Sequence, residues 1–74
     1  MKIRLDSIDA VKNFVNKVNL YSGDIDIVSG RYTIDAKSIM GIFSLDLGKP
    51  LTVVIHDKSE EARFKADMAD IIVE

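Results

Sequence analysis

Seventy-four residues carry twelve acidic and ten Lys/Arg side chains, a net charge of −2, 47% apolar residues, one histidine and no cysteine. That length suits one domain with one modest core, and the missing cysteines exclude disulfides, thiolate metal sites and a cysteine nucleophile. Charges of both signs are interspersed without a basic stripe, and no apolar run approaches a membrane span. This argues against a nucleic-acid or anionic-membrane surface and against a membrane span, and makes a soluble, cytoplasmic protein the expectation.

Met1–Leu5 alternates apolar and basic residues and reads as a half-buried strand with Ile3 and Leu5 inward. Asp6 and Ser7 break the pattern, and Ser7 offers a helix cap. Ile8, Val11, Phe14, Val15, Val18 and Tyr21 then recur at helical spacing, which predicts an amphipathic helix over Ile8–Leu20 ended by Ser22-Gly23. Asp24–Val28 and Arg31–Asp35 alternate again on either side of Ser29-Gly30. They predict a hairpin in which Tyr32 and Ile34 pair with Ile25 and Ile27.

Ser38 precedes the short apolar run Ile39-Met40-Gly41-Ile42-Phe43 and reads as the N-cap of a short helix, a position that also welcomes a phosphate. So short a helix cannot turn Ile39, Met40, Ile42 and Phe43 all toward one core. The run either plugs the core edge or forms an apolar patch for a partner. Leu51–His56 is a fourth strand with Leu51, Val53 and Ile55 inward. At the next helix start, either Asp57 caps with Glu60 as its reciprocal partner or Ser59 caps one turn later. Phe64, Met68, Ile71 and Ile72 mark the face of a last helix.

The order is β-α-β-β-α-β-α. Outward strand positions are mostly polar and inward ones mostly Ile, Leu and Val, so the expected fold class is a two-layer, open-faced α/β (α+β) sandwich with an antiparallel sheet. His56 stands alone on the open face, and Asp24 and Asp26 read as solvated carboxylates. With one histidine and no cysteine, no metal site and no cofactor is expected.

The string Lys37-Ser38-Ile39-Met40-Gly41, its place after the hairpin and the element order closely resemble the HPr family, the phosphocarriers of the bacterial sugar phosphotransferase system. That resemblance implies sheet order 1-4-2-3 with three helices on one face. HPr carries phosphate on a histidine at the start of its first helix, followed by arginine and proline. Here Ser7, Asp9 and Ala10 stand at those three positions, so the resemblance implies a degenerate phosphocarrier site and no catalytic role. Asp9 replaces a cation with an acid, which repels phosphate.

Ser38 matches the serine that HPr kinase/phosphorylase modifies in Gram-positive bacteria. Lys37, Ile39, Met40, Gly41, Ile42 and Phe43 match its partner-binding surround. The chain is similar to paralogues that lost the histidine and kept the serine, and that bind a catabolite-control transcription factor when phosphorylated. The expectation is a regulatory protein, monomeric or weakly dimeric. The alternative is an adaptor that binds a partner through the apolar patch constitutively.

Overall fold

The computed structural model describes residues 1–73. Its elements are β1 (Lys2–Ile3), α1 (Ile8–Val18), β2 (Ile25–Ser29), β3 (Tyr32–Asp35), α2 (Ile39–Phe43), β4 (Leu51–Ile55), one 3₁₀ turn (Lys58–Glu60) and α3 (Glu61–Asp67). The four strands form one antiparallel sheet of order β1-β4-β2-β3, the topology expected from the resemblance. Strand alternation sends Ile3, Leu5, Ile25, Ile27, Leu51, Val53 and Ile55 to the helix side, where all are buried. Val11, Phe14, Val15 and Val18 of α1, Ile42 of α2 and Phe64 of α3 close over them. Phe64 lies edge-on to both Phe14 and Tyr21, with ring centroids 6.3 and 6.1 Å away.

Several expectations are corrected. The hairpin turn is Gly30-Arg31, because Ser29 pairs with Tyr32. Gly30 takes φ +59°, which a left-handed turn position requires and which glycine adopts without strain. Tyr32 therefore faces Ser29 and stays largely exposed instead of packing on Ile25 or Ile27.

The first helix stops at Val18, two residues early. Leu20 and Tyr21 donate to the carbonyls three residues back, Lys17 and Val18, and this tightening drops Tyr21 into the core while Leu20 stays outside. Ile8, expected on the buried face, is exposed at the helix start.

The last helix stops at Asp67 rather than continuing through Ile72. The outer edge of β1 offers unpaired backbone groups, and the tail satisfies them. Arg4 donates its N–H to the Ile71 carbonyl, Val73 donates to the Lys2 carbonyl, and Ile72 bridges Ile3.

At the start of the 3₁₀ turn the cap is Asp57, whose carboxylate accepts from the Ser59 N–H at 3.0 Å and the Ser59 hydroxyl at 2.6 Å. Those two bonds, the hydroxyl first, hold the Asp57 carboxyl below the usual range. Glu60 does not close the reciprocal box. Its carboxylate reaches across to accept from the Ser22 and Gly23 N–H groups at 3.2 and 3.0 Å, tying α3 to the α1–β2 turn.

Candidate functional site

Two exposed serines cap two helices in the same way. The Ser7 hydroxyl oxygen accepts from the Ala10 N–H at 3.0 Å, and that of Ser38 from the Gly41 N–H at 3.2 Å. Both have extended backbone at the cap, so each oxygen points at otherwise unpaired N–H groups of the first turn. Their surroundings differ. Ser7, Asp9 and Ala10 share a shallow cleft with Asp6 and Asp70, so three carboxylates line the start of α1. Lys17, the one cation lining that cleft, donates its ammonium to the Asp67 carbonyl at 3.0 Å. A phosphate at Ser7 would meet three like charges in that cleft.

No carboxylate directly adjoins Ser38 in sequence; the nearest is Asp35, three residues earlier, whose carbonyl accepts from the Ser38 N–H. The preceding Lys37 is half-buried and donates its ammonium to the Tyr21 carbonyl at 2.7 Å, while its N–H donates to the Asp35 carboxylate. Lys37 thus has an intramolecular role that its sequence position did not reveal. A Cβ on Gly41 would lie 3.1 Å from the Ser38 oxygen and 3.3 Å from Ile34 Cδ1, so glycine keeps the cap hydroxyl uncrowded. The crowding would come from those two side chains and not from backbone.

Of the apolar run, Met40 is 77% exposed and Phe43 38%, with Ile39 half-buried. Ile42 is fully buried, which removes it from any contact surface and makes it a core residue. The short helix therefore does both things the sequence left open: Ile42 plugs the core and Met40 and Phe43 face outward. Phe43 continues into a groove with Leu5, Ile8 and Leu47, bounded by Ser7, Asp6, Arg4 and Gly48. The Arg4 guanidinium donates to the Gly48 carbonyl at 3.1 Å across this groove. The degenerate end of α1 and the exposed face of α2 thus border one continuous surface.

One pairing went unseen in the sequence. His56 Nε2 lies 2.8 Å from the Asp26 carboxylate on the open sheet face. The two are diagonal cross-strand neighbours, a relation visible only once the β2–β4 register is known. Among the described residues no three potential metal ligands come together, and no helix is long and apolar enough to cross a membrane.

An open-faced sandwich with a capped serine beside an outward apolar turn defines a small domain of the HPr type. The chain belongs to the PTS-HPr family, whose model, described as the PTS HPr component phosphorylation site, matches residues 8–73. The matched span begins just after Ser7 and contains Ser38. Among solved structures the chain is similar to Crh of Bacillus subtilis, described as a catabolite repression containing protein with a swapping domain in an intertwined dimer. It is 23% identical to Crh, with a TM-score of 0.68 over 100% of this chain and 90% of that one, a likeness of fold. No curated protein matches the sequence.

Proposed function

We propose that this chain is a non-catalytic regulatory member of the HPr family, switched by phosphorylation of Ser38 and unable to relay phosphate through the start of α1. The observation that carries the reading is the contrast between the two caps. The phosphocarrier position holds Ser7 in a cleft lined by Asp6, Asp9 and Asp70, whereas Ser38 is exposed beside the outward Met40 and Phe43.

In the proposed modification the Ser38 hydroxyl oxygen attacks the γ-phosphorus of ATP, the bond to the ADP oxygen breaks, and the hydroxyl proton is released. The product places about two negative charges next to an apolar surface, a mixed patch that selects its partner. The proposed modifying enzyme is an HPr kinase/phosphorylase and the proposed reader a catabolite-control transcription factor. Crh, which this chain resembles in fold, is described as a catabolite repression protein, and that supports this direction.

Incubation with an HPr kinase and ATP, read by intact mass, tests the proposal. One added phosphate that disappears in Ser38→Ala is the expected result. An unmodified mass beside a fully labelled HPr control refutes the switch. It favours the second reading, supported by the exposure of Met40 and Phe43, of an adaptor that binds without modification. Asp9→Arg restores the family's cation and should raise the labelling rate.

A further inference from the structure

The two edges of the sheet are treated differently. The tail covers the outer edge of β1 through Ile71, Ile72 and Val73, whereas the outer edge of β3 meets no strand among the described residues. Ala36 donates its N–H to the Ile25 carbonyl, so by alternation Ile34 and Tyr32 also turn their backbone groups toward β2. Thr33 and Asp35 then present theirs outward. The Asp35 carbonyl confirms this direction, since it accepts from the Ser38 N–H on the side away from β2.

We propose that β3 pairs antiparallel with β3 of a second copy, centred on Thr33, to give a continuous eight-stranded sheet across a two-fold axis. The segment Arg31-Tyr32-Thr33-Ile34-Asp35 is self-complementary in that register. Thr33 meets its own copy and exchanges both backbone hydrogen bonds with it. Arg31 falls opposite Asp35 of the second copy, twice. Tyr32, 63% exposed in the single chain, falls opposite the half-buried Ile34 of the second copy, also twice.

The charges are what select this occupant. An edge guarded against association carries like charges that a two-fold would bring together. This edge carries opposite charges at the two positions that the two-fold superposes. Arg31 makes no ion pair among the described residues, and Asp35 uses one carboxylate oxygen on the Lys37 N–H, leaving the other free. The ladder is short, so association is weak and belongs at high protein concentration. It does not depend on how Ser38 is used.

Sedimentation and amide chemical shifts, followed as the concentration is raised toward the millimolar range, test the proposal. The wild type should dimerise, with the Thr33 and Asp35 amides shifting most. Arg31→Glu and Asp35→Lys should each raise the dimer Kd roughly tenfold or more, because each turns two attractive cross-strand pairs into repulsive ones. Mixing the two variants should restore association as a heterodimer. The new carboxylate of one chain then faces the new ammonium of the other, and the native Arg31 and Asp35 face each other across the second pair. Arg31→Glu removes no hydrogen bond or ion pair among the described residues and carries the test alone if Asp35→Lys, which also loses the bond to Lys37, folds poorly. A wild type that stays monomeric overturns the proposal and leaves the edge for a strand of a different protein. A dimer indifferent to both charge reversals also overturns it and points to exchange of an element between copies.

Discussion

Removing the Tyr21 hydroxyl isolates one bond of the network behind Ser38. Tyr21 is 2% exposed, and its phenol donates to the Asp67 carboxylate at 2.6 Å. The Arg63 guanidinium sits 4.1 Å from the ring centroid and pairs with the same carboxylate at 3.5 Å. Tyr21→Phe keeps the ring, its contact with Phe64 and the stacked cation, and deletes only the donor. Asp67 keeps Arg63 and access to water, so no charge is orphaned. The loss should be that of one hydrogen bond to a charged acceptor, about 1.5–2 kcal/mol, or roughly 6–15 °C in Tm for a domain of this size.

The pH dependence of that difference is the sharper assay. Burial first, then the bond to Asp67 and its charge, push the Tyr21 phenol far above its ordinary value. The folded phenol therefore keeps its proton at pH values where the unfolded one, with a pKa of about 10, has lost it. The stabilisation is complete below that unfolded value and falls by roughly 1.4 kcal/mol per pH unit above it. Urea unfolding of both proteins, followed by circular dichroism at pH 8, 9, 10 and 11, should show a gap that is constant to pH 9 and nearly closed by pH 11. A gap that stays constant through pH 11, or one under about 0.5 kcal/mol at pH 8, refutes the assignment.

Ile42→Ala should cost about 2–4 kcal/mol as a core cavity, while Met40→Ala should stay within about 0.5 kcal/mol. Chemical denaturation separates them, and a partner-binding defect in Met40→Ala without a stability loss would assign the contact to the exposed turn. Glu60→Ala should destabilise by about 1–3 kcal/mol and release the Ser22 and Gly23 amides to fast hydrogen exchange, because their acceptor sits on the far side of the chain. Gly30→Ala should cost about 1 kcal/mol. No atom lies within 4 Å of the added methyl, so thermal unfolding should register the positive φ alone.

Much of the fold was legible because one period governs each element. Period-two alternation placed Ile3, Leu5, Ile25, Ile27, Leu51, Val53 and Ile55 inward correctly, and the spacing from Val11 to Val18 marked the buried face of α1. What failed needed a relation between distant segments. Alternation fixes a face but not a register, so the hairpin turn was read one residue early and the diagonal His56–Asp26 pair was missed. The Phe64, Met68, Ile71, Ile72 spacing fits a helix, yet Ile71 and Ile72 serve the open edge of β1, which only the assembled sheet creates. Glu60 had the right spacing for a local box and was taken by the Ser22 and Gly23 amides. At the site, Ser7 and Ser38 were recognisable as caps from their neighbours alone. Which members of the apolar run face outward depended on how α2 docks, and that buried Ile42 while leaving Met40 out.

The two caps, alike in their hydrogen bonds, show that the cap itself does not select a phosphate site. An N–H group three residues on is available at both serines, so discrimination falls to the charges around them. At Ser7 those charges are Asp6, Asp9 and Asp70, with Lys17 already committed to a carbonyl. At Ser38 the adjacent charges are Lys37, held at 2.7 Å on the carbonyl of Tyr21, and Asp35, whose carboxylate accepts from the Lys37 N–H. Tyr21 is itself fixed through its hydroxyl to Asp67 and through its ring to Arg63. Both lysines are held by neutral carbonyls, so the contrast rests on the carboxylates: three line the cleft at Ser7, and Asp35 alone adjoins the Ser38 segment. Under the regulatory reading, Lys37 stays on the Tyr21 carbonyl, and the exposed Met40 and Phe43 are left to contact the partner.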